Sequence, residues 1–186
     1  MIEKYLNNDI KESCLIHMPT GSGKSGVITL CSLLQFSDCV LIVTPRIAIT
    51  DQIEREIRGE FNKNLKDVTK DSTLNINPGN RIVRRIDDKF TIDDNINYNN
   101  TIFISTVQKI DWLRKNRSEK KNNKIYNTLR KKVKLVIFDE GHYEPAYSWS
   151  VTIREFKTKK ILFTATPFRN DLKPFDISPE YIYPYK

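Results

Sequence analysis

The chain has 186 residues, 39% of them apolar and 29% charged, and its formal net charge is +8. That length suits a single domain over residues 1–186 with its own core, and the composition is globular rather than disordered. The positive balance favours polyanionic partners, although surface lysines serving solubility give the same sign.

The start, MIEKYLNNDIKES, is polar and lacks the apolar centre of a signal peptide, and no apolar run approaches the length of a membrane span. Cys14, Cys31 and Cys39 form no CxxC pair. This points away from a zinc site or disulfide framework and toward a reducing, cytoplasmic compartment.

In chain order, residues 2–6 read as the end of a helix. Residues 14–18 are the first of five short apolar runs, followed by 39–44, 101–105, 133–139 and 161–164. Each is rich in Val, Ile, Leu or Phe without strict alternation, as a strand covered on both faces requires. KSGVITLCSLLQF (24–36) has Val27, Leu30, Leu33 and Leu34 at helical spacing. The run beyond Pro45 carries Ile49, Ile53 and Ile57 on one stripe. Strands alternating with helices predict an α/β fold with a mainly parallel sheet and helices on both faces. Residues 62–100 are rich in Asn and Asp and predict a loop with a small hairpin around 73–92. Residues 114–134 hold ten Lys or Arg against one Glu. They read either as extra phosphate contacts or as a solvated helix-loop-helix.

The stretch HMPTGSGKSG (17–26) joins the first strand to a helix. A buried strand, a glycine-rich turn and a helix opening on Lys-Ser is the order a phosphate-binding loop needs. Pro19, Thr20, Gly21, Ser22, Gly23, Lys24 and Ser25 are thus candidates to bind ATP. Lys24 would reach the β- and γ-phosphates, and Ser25 would bind Mg²⁺. Met18 replaces the first glycine of GxxxxGK[ST], and a plain glycine turn would use the same residues. The other half of such a site is KLVIFDEGH (134–142), where a strand ends on Asp139 and Glu140. Asp139 would order Mg²⁺, and Glu140 would position or deprotonate the attacking water.

VTPRIAITDQI (43–53), ISTVQKI (104–110), DEGH (139–142) and LFTATPFRND (162–171) follow successive strands. Together with MPTGSGKS they resemble the first RecA-like domain of a superfamily 2 helicase or translocase of the DExH type. The form TATPFR is similar to restriction-enzyme motor subunits and DNA-repair translocases. The resemblance implies that Pro45, Arg46 and Thr106 contact the nucleic-acid backbone. It also implies that Thr164 and Thr166 couple hydrolysis to movement, and that His142 links them to the ATP site. It implies that the strand carrying Thr164 lies between the loop strand and the acidic strand.

The function so implied is a nucleic-acid-dependent ATPase motor domain, on DNA rather than RNA. A second RecA-like domain or partner chain would supply arginine fingers. The chain ends soon after TATP, and no glutamine precedes Met18 to contact adenine. These features suggest a fragment, a split gene, or half of a motor completed by another chain. The alternatives are a non-catalytic nucleic-acid-binding or assembly module and, more remotely, a phosphate-loop enzyme of another class.

Overall fold

The computed structural model describes residues 5, 13–33, 39–60, 81–93, 96, 98–141, 151–152, 154–166 and 177–184. Seven strands make one sheet: β1 (Ser13–His17), β2 (Cys39–Thr44), β3 (Ile82–Arg85), β4 (Thr101–Thr106), β5 (Leu135–Phe138), β6 (Lys159–Thr164) and β7 (Ile182–Pro184). Their order is β3-β4-β2-β5-β6-β1-β7, and every pairing is parallel. Among the described residues, the α-helices include α1 (Lys24–Leu33), α2 (Ile47–Arg55), α3 (Val107–Lys115) and α4 (Lys120–Lys132).

The apolar runs become the central strands because both of their faces are covered. In β2 all six residues are buried, and in β5 all four. Alternate residues point to opposite cores. Val40, Ile42, Ile104, Ile137 and Phe163 pack with Ile28 and Leu33 of α1 and Ile53 of α2. Leu41, Val43, Phe103, Val136 and Phe138 pack with Val107 and Ile110 of α3 and Ile125, Tyr126 and Leu129 of α4. Helices therefore cover both faces of the sheet.

The acidic strand is shorter than predicted. Val133 caps α4, and β5 stops at Phe138, one residue before Asp139. The apolar runs do not include the two outer strands. Ile82–Arg85 carries two arginines, and Ile182–Pro184 is three residues long, so neither forms an apolar run. Of the hairpin expected around 73–92, Ile82–Arg85 forms a strand that pairs in parallel with β4, and residues 73–80 lie outside the described residues. Both edges are blunted. Arg58 donates to the Val83 carbonyl at 2.8 Å, and Pro184 brings no amide donor.

Beyond Arg55, α2 continues as a π-turn, Glu56–Glu60, which keeps Ile57 buried. The basic segment forms the end of α3, the link and α4, and its arginines are engaged while most of its lysines are exposed; Lys115 pairs with Asp111 at 2.6 Å. Arg114, Arg117 and Arg130 gather around Glu155 at 3.9, 3.5 and 3.7 Å, and the Tyr126 hydroxyl donates to the same carboxylate at 3.2 Å. Arg114 also pairs with Asp111 at 2.9 Å, and Thr152 donates to Asp111. Lys120, Lys121, Lys124, Lys131 and Lys132 are exposed.

Removing the Glu155 side chain takes a carboxylate partner from three partly sheltered guanidinium groups, of which Arg114 keeps Asp111. Glu155→Ala is expected to lower unfolding free energy by about 1–3 kcal/mol, whereas Lys121→Ala changes it by less than about 0.5 kcal/mol. Urea unfolding of the two variants checks this contrast.

Candidate active site

An all-parallel sheet places the carboxyl end of every strand on one edge, and the turns that follow those ends converge there. On that edge β6 lies between β5 and β1. The segments beginning at Met18, Asp139 and Ala165 are therefore neighbours.

The loop after β1 starts with the Met18 amide donating to the Thr164 carbonyl at 2.8 Å. It turns through Gly21 and Gly23, whose φ angles of 80° and 82° suit glycine. The Ser22 hydroxyl closes the turn on the Pro19 carbonyl at 2.6 Å. Pro19, Thr20, Gly21 and Gly23 are exposed, while Ser22, Lys24 and Ser25 are half-buried. Met18 is 3% exposed and packs in the core with Cys14 and Ile28. The glycine usual at this place is therefore not needed for a left-handed turn; the side chain fills space beneath the loop.

The two halves of the site meet at Lys24. Its Nζ stands 2.5 Å from Glu140 Oε1 and 3.5 Å from Asp139 Oδ1. Glu140 has a φ of 57°, an uncommon conformation for a residue with a side chain. Gly141 follows against β6, where an added Cβ would lie 3.0 Å from Leu162 Cβ. Bulk at Gly141 would push the acidic turn away from its neighbour strand. Asp139 is buried, and its Oδ1 has no hydrogen-bond partner. Burial pushes the Asp139 carboxyl above the usual carboxylate range, with Lys24 pulling it down and Glu140 adding to the rise.

Thr164 is buried at the end of β6, and its hydroxyl donates to the Thr166 carbonyl at 2.9 Å, closing the turn that exposes Thr166. His17 Nε2 lies 3.2 Å from the Ala165 carbonyl, tying the same turn to the strand before the loop. Sequence reasoning passed over His17 and Gly141; a polar residue closing an apolar strand was the available signal for His17. His142 lies outside the described residues.

The predicted nucleic-acid residues lie further along the same edge. Pro45 is buried, and its carbonyl accepts from Gln108 Nε2 at 3.1 Å. Arg46 is exposed at the N-cap of α2, beside Ile47, which is 63% exposed. Thr106 caps α3 by accepting from the Lys109 amide at 3.3 Å. A cavity of about 310 Å³ opens between the two helix starts, lined in part by Ile47, Arg85, Asp88, Thr106 and Lys109. Arg85 pairs with Asp51, and Lys109 pairs with Asp88 at 2.6 Å while lying over the Trp112 ring.

Two substitutions test this geometry. Met18→Gly, which restores the usual loop glycine, is expected to cost about 3 kcal/mol of stability in urea unfolding, because it empties core space. Asp139→Asn is expected to raise the thermal midpoint at neutral pH. A raised carboxyl pKa contributes stability below the unfolded-state value, and that contribution is lost as pH rises through the folded-state value. Thermal unfolding across pH should show the two proteins converging in acid.

The model for "Type III restriction enzyme, res subunit" matches residues 1–169. A comparison with curated proteins gave no match. Among solved structures, the Hef helicase domain of Pyrococcus furiosus is 19% identical, with a TM-score of 0.58 over 98% of this chain and 37% of that one. A DEAD box protein from Methanococcus jannaschii is 18% identical, with a TM-score of 0.54 over 98% of this chain and 47% of that one. The Type ISP restriction-modification enzyme LlaGI, a nuclease-deletion mutant solved with a DNA substrate mimic, is 14% identical with a TM-score of 0.54 over 100% of this chain and 18% of that one. This chain thus spans less than half of each of these three proteins. A parallel sheet with the fold of solved helicase domains, a loop lysine held by two carboxylates and a family match over nine-tenths of the sequence lead to one assignment: the chain belongs to the type III restriction enzyme res-subunit family.

Proposed function

We propose that this chain is the nucleotide-binding part of a nucleic-acid-dependent ATPase motor that acts on DNA, with Lys24, Asp139 and Glu140 at its catalytic centre. The observation that carries the reading is the Lys24–Glu140 contact across 116 positions of sequence, with Asp139 beside it. On this reading Gly21 to Ser25 cradle the phosphates with backbone amides and the start of α1. Lys24 exchanges a carboxylate partner for phosphate oxygens as ATP enters, which frees Glu140. Glu140 then orients the attacking water and takes its proton.

The Asp139 oxygen, buried without a hydrogen bond, and the Ser25 hydroxyl suit a hard cation with oxygen ligands, so these two residues would hold Mg²⁺. Bound with ATP, Mg²⁺ would supply positive charge to the β- and γ-phosphate oxygens. Thr164 and Thr166, whose turn is tied to both β1 and the loop, suit a coupling role; His142 is assigned the link from them to the ATP site on resemblance alone. Arg46 and Thr106 at the helix starts, with Pro45 holding the turn, form the proposed nucleic-acid face. DNA is favoured by the restriction-enzyme family match and by the DNA substrate mimic bound to LlaGI.

A second RecA-like domain, in the same protein or a partner chain, would complete the site with arginine fingers; the small share of each solved neighbour that this chain covers supports this. The three cysteines are buried thiols, none of them in a disulfide, with Cys14 and Cys31 pushed up to about 12 by burial, which suits a reducing cytoplasm. No helix among the described residues is long and apolar enough to cross a membrane.

Mg-ATP affinity and turnover, measured with duplex DNA, single-stranded DNA and RNA, test the reading. Lys24→Ala is expected to weaken Mg-ATP binding at least about tenfold, and Glu140→Gln to keep binding while slowing hydrolysis roughly 10²–10⁴-fold. DNA should stimulate turnover more than RNA. Nucleotide affinity indifferent to Lys24→Ala would favour a non-catalytic assembly module. No response to any nucleic acid, once a second RecA-like domain is joined to the chain, would sink the motor.

A further inference from the structure

Helix α2 touches both ends of the proposed machinery. Its N-cap is Arg46, on the proposed nucleic-acid face. Six residues later, about 9 Å along the axis, Gln52 Nε2 donates to Ser25 Oγ at 3.2 Å and to Glu56 Oε1 at 3.0 Å. Glu56 in turn accepts from the Thr29 hydroxyl of α1 at 3.4 Å. A polar bridge thus joins the helix that opens on Ser25 to the helix that opens after Arg46.

Three features make α2 move as a unit. The Thr44 and Thr50 hydroxyls lie 2.6 Å apart and each 3.2 Å from the Arg46 carbonyl; one donates to the other, which donates to the carbonyl, so the start of the helix is knotted to the end of β2. Ile53 and Ile57 are buried against the sheet. The helix then passes into the π-turn that begins at Glu56, a local departure from regular winding of the kind frequent at functional sites. A shift of the Arg46 end therefore displaces Gln52 relative to Ser25 rather than being lost within the helix.

We propose that Gln52 is a positioning residue that couples nucleic acid at Arg46 to the nucleotide site by orienting the Ser25 hydroxyl. This rests on the functional reading above, since it assigns Ser25 to the Mg-nucleotide site and Arg46 to nucleic acid. Gln52 itself touches neither ligand. Its amide donates to one lone-pair region of Ser25 Oγ and leaves the other for a cation. Moving that donor changes the direction in which the hydroxyl presents its free electrons. Energetic coupling between two ligands is reciprocal, so nucleic acid and nucleotide must alter each other's affinity by the same factor.

The test uses the full chain, a fluorescent non-hydrolysable Mg-ATP analogue and a labelled duplex DNA. Each dissociation constant is measured with and without the other ligand at saturation. The wild type is expected to show a coupling of about fivefold or more, equal in both directions. Gln52→Leu should bring that factor to about one while each ligand alone binds within about threefold of wild type. Gln52 is exposed, so this variant should keep its fold, which its thermal midpoint verifies. Gln52→Lys, which keeps an N–H donor of similar reach, should retain most of the coupling. An unchanged factor in Gln52→Leu, or equal loss in both variants, overturns the role of Gln52 and leaves the motor reading standing. A wild type that binds neither ligand overturns the motor reading itself.

Discussion

The Lys24 ammonium sits between two carboxylates that no local rule of sequence would bring to it. Glu140 at 2.5 Å and Asp139 at 3.5 Å come from the strand end two places away in the sheet. Lys24 is held at the first turn of α1, and that helix is held by Ile28, Cys31 and Leu33 against the sheet. Loosening either strand end would leave a buried Asp139 facing no cation, a costly arrangement in a region with little water. The ion cluster therefore depends on the packing of β1, β6 and β5. In return it holds the loop and the acidic turn in mutual register.

Strain and close approach accumulate at that same place. Glu140 adopts a left-handed backbone, and Gly141 has room for no side chain against Leu162. Asp139 keeps an oxygen without a hydrogen bond and a carboxyl pKa raised by burial. Each is unfavourable for the folded chain taken alone. Their coincidence at the carboxyl edge, beside a phosphate-type loop, is what a site built for a charged ligand looks like. The turn of Thr164 and Thr166 is tied to this point from the other side, through the Met18 amide and the His17 ring.

Charge elsewhere in the molecule is arranged for a different purpose. The basic segment is conspicuous in the sequence, yet its three arginines are engaged with Glu155 and Asp111 beneath α3 and α4. Planar guanidinium groups can share one carboxylate from several directions, whereas the lysines of α4 are exposed, Lys132 lying over the Tyr98 ring. The cations near the proposed nucleic-acid face, Arg85 and Lys109, already have acidic partners. Any polyanion there has to compete with Asp51 and Asp88. The Asp88 carboxylate is nearly fully exposed, so its pair with Lys109 is a weak competitor.

The sequence by itself determined the central strands, the helix after each of the first two, the α/β class and the phosphate-type loop, because these rest on short-range pattern. An apolar run without alternation has to be buried on both faces, and Gly-x-Gly-Lys-Ser after such a run has few other uses. Resemblance across several ordered motifs supplied the position of β6 between β5 and β1, which composition and spacing do not contain. Only the tertiary structure decided the rest. Ile82–Arg85 and Ile182–Pro184 are strands because a neighbour offers them a ladder, not because their residues demand it. Met18 is a core residue because the loop leaves space beneath it, and Gln52 reaches Ser25 because α1 and α2 pack on the same face of the sheet. These contacts depend on distances between segments far apart in the chain, and such distances are set by packing rather than by local residue preference.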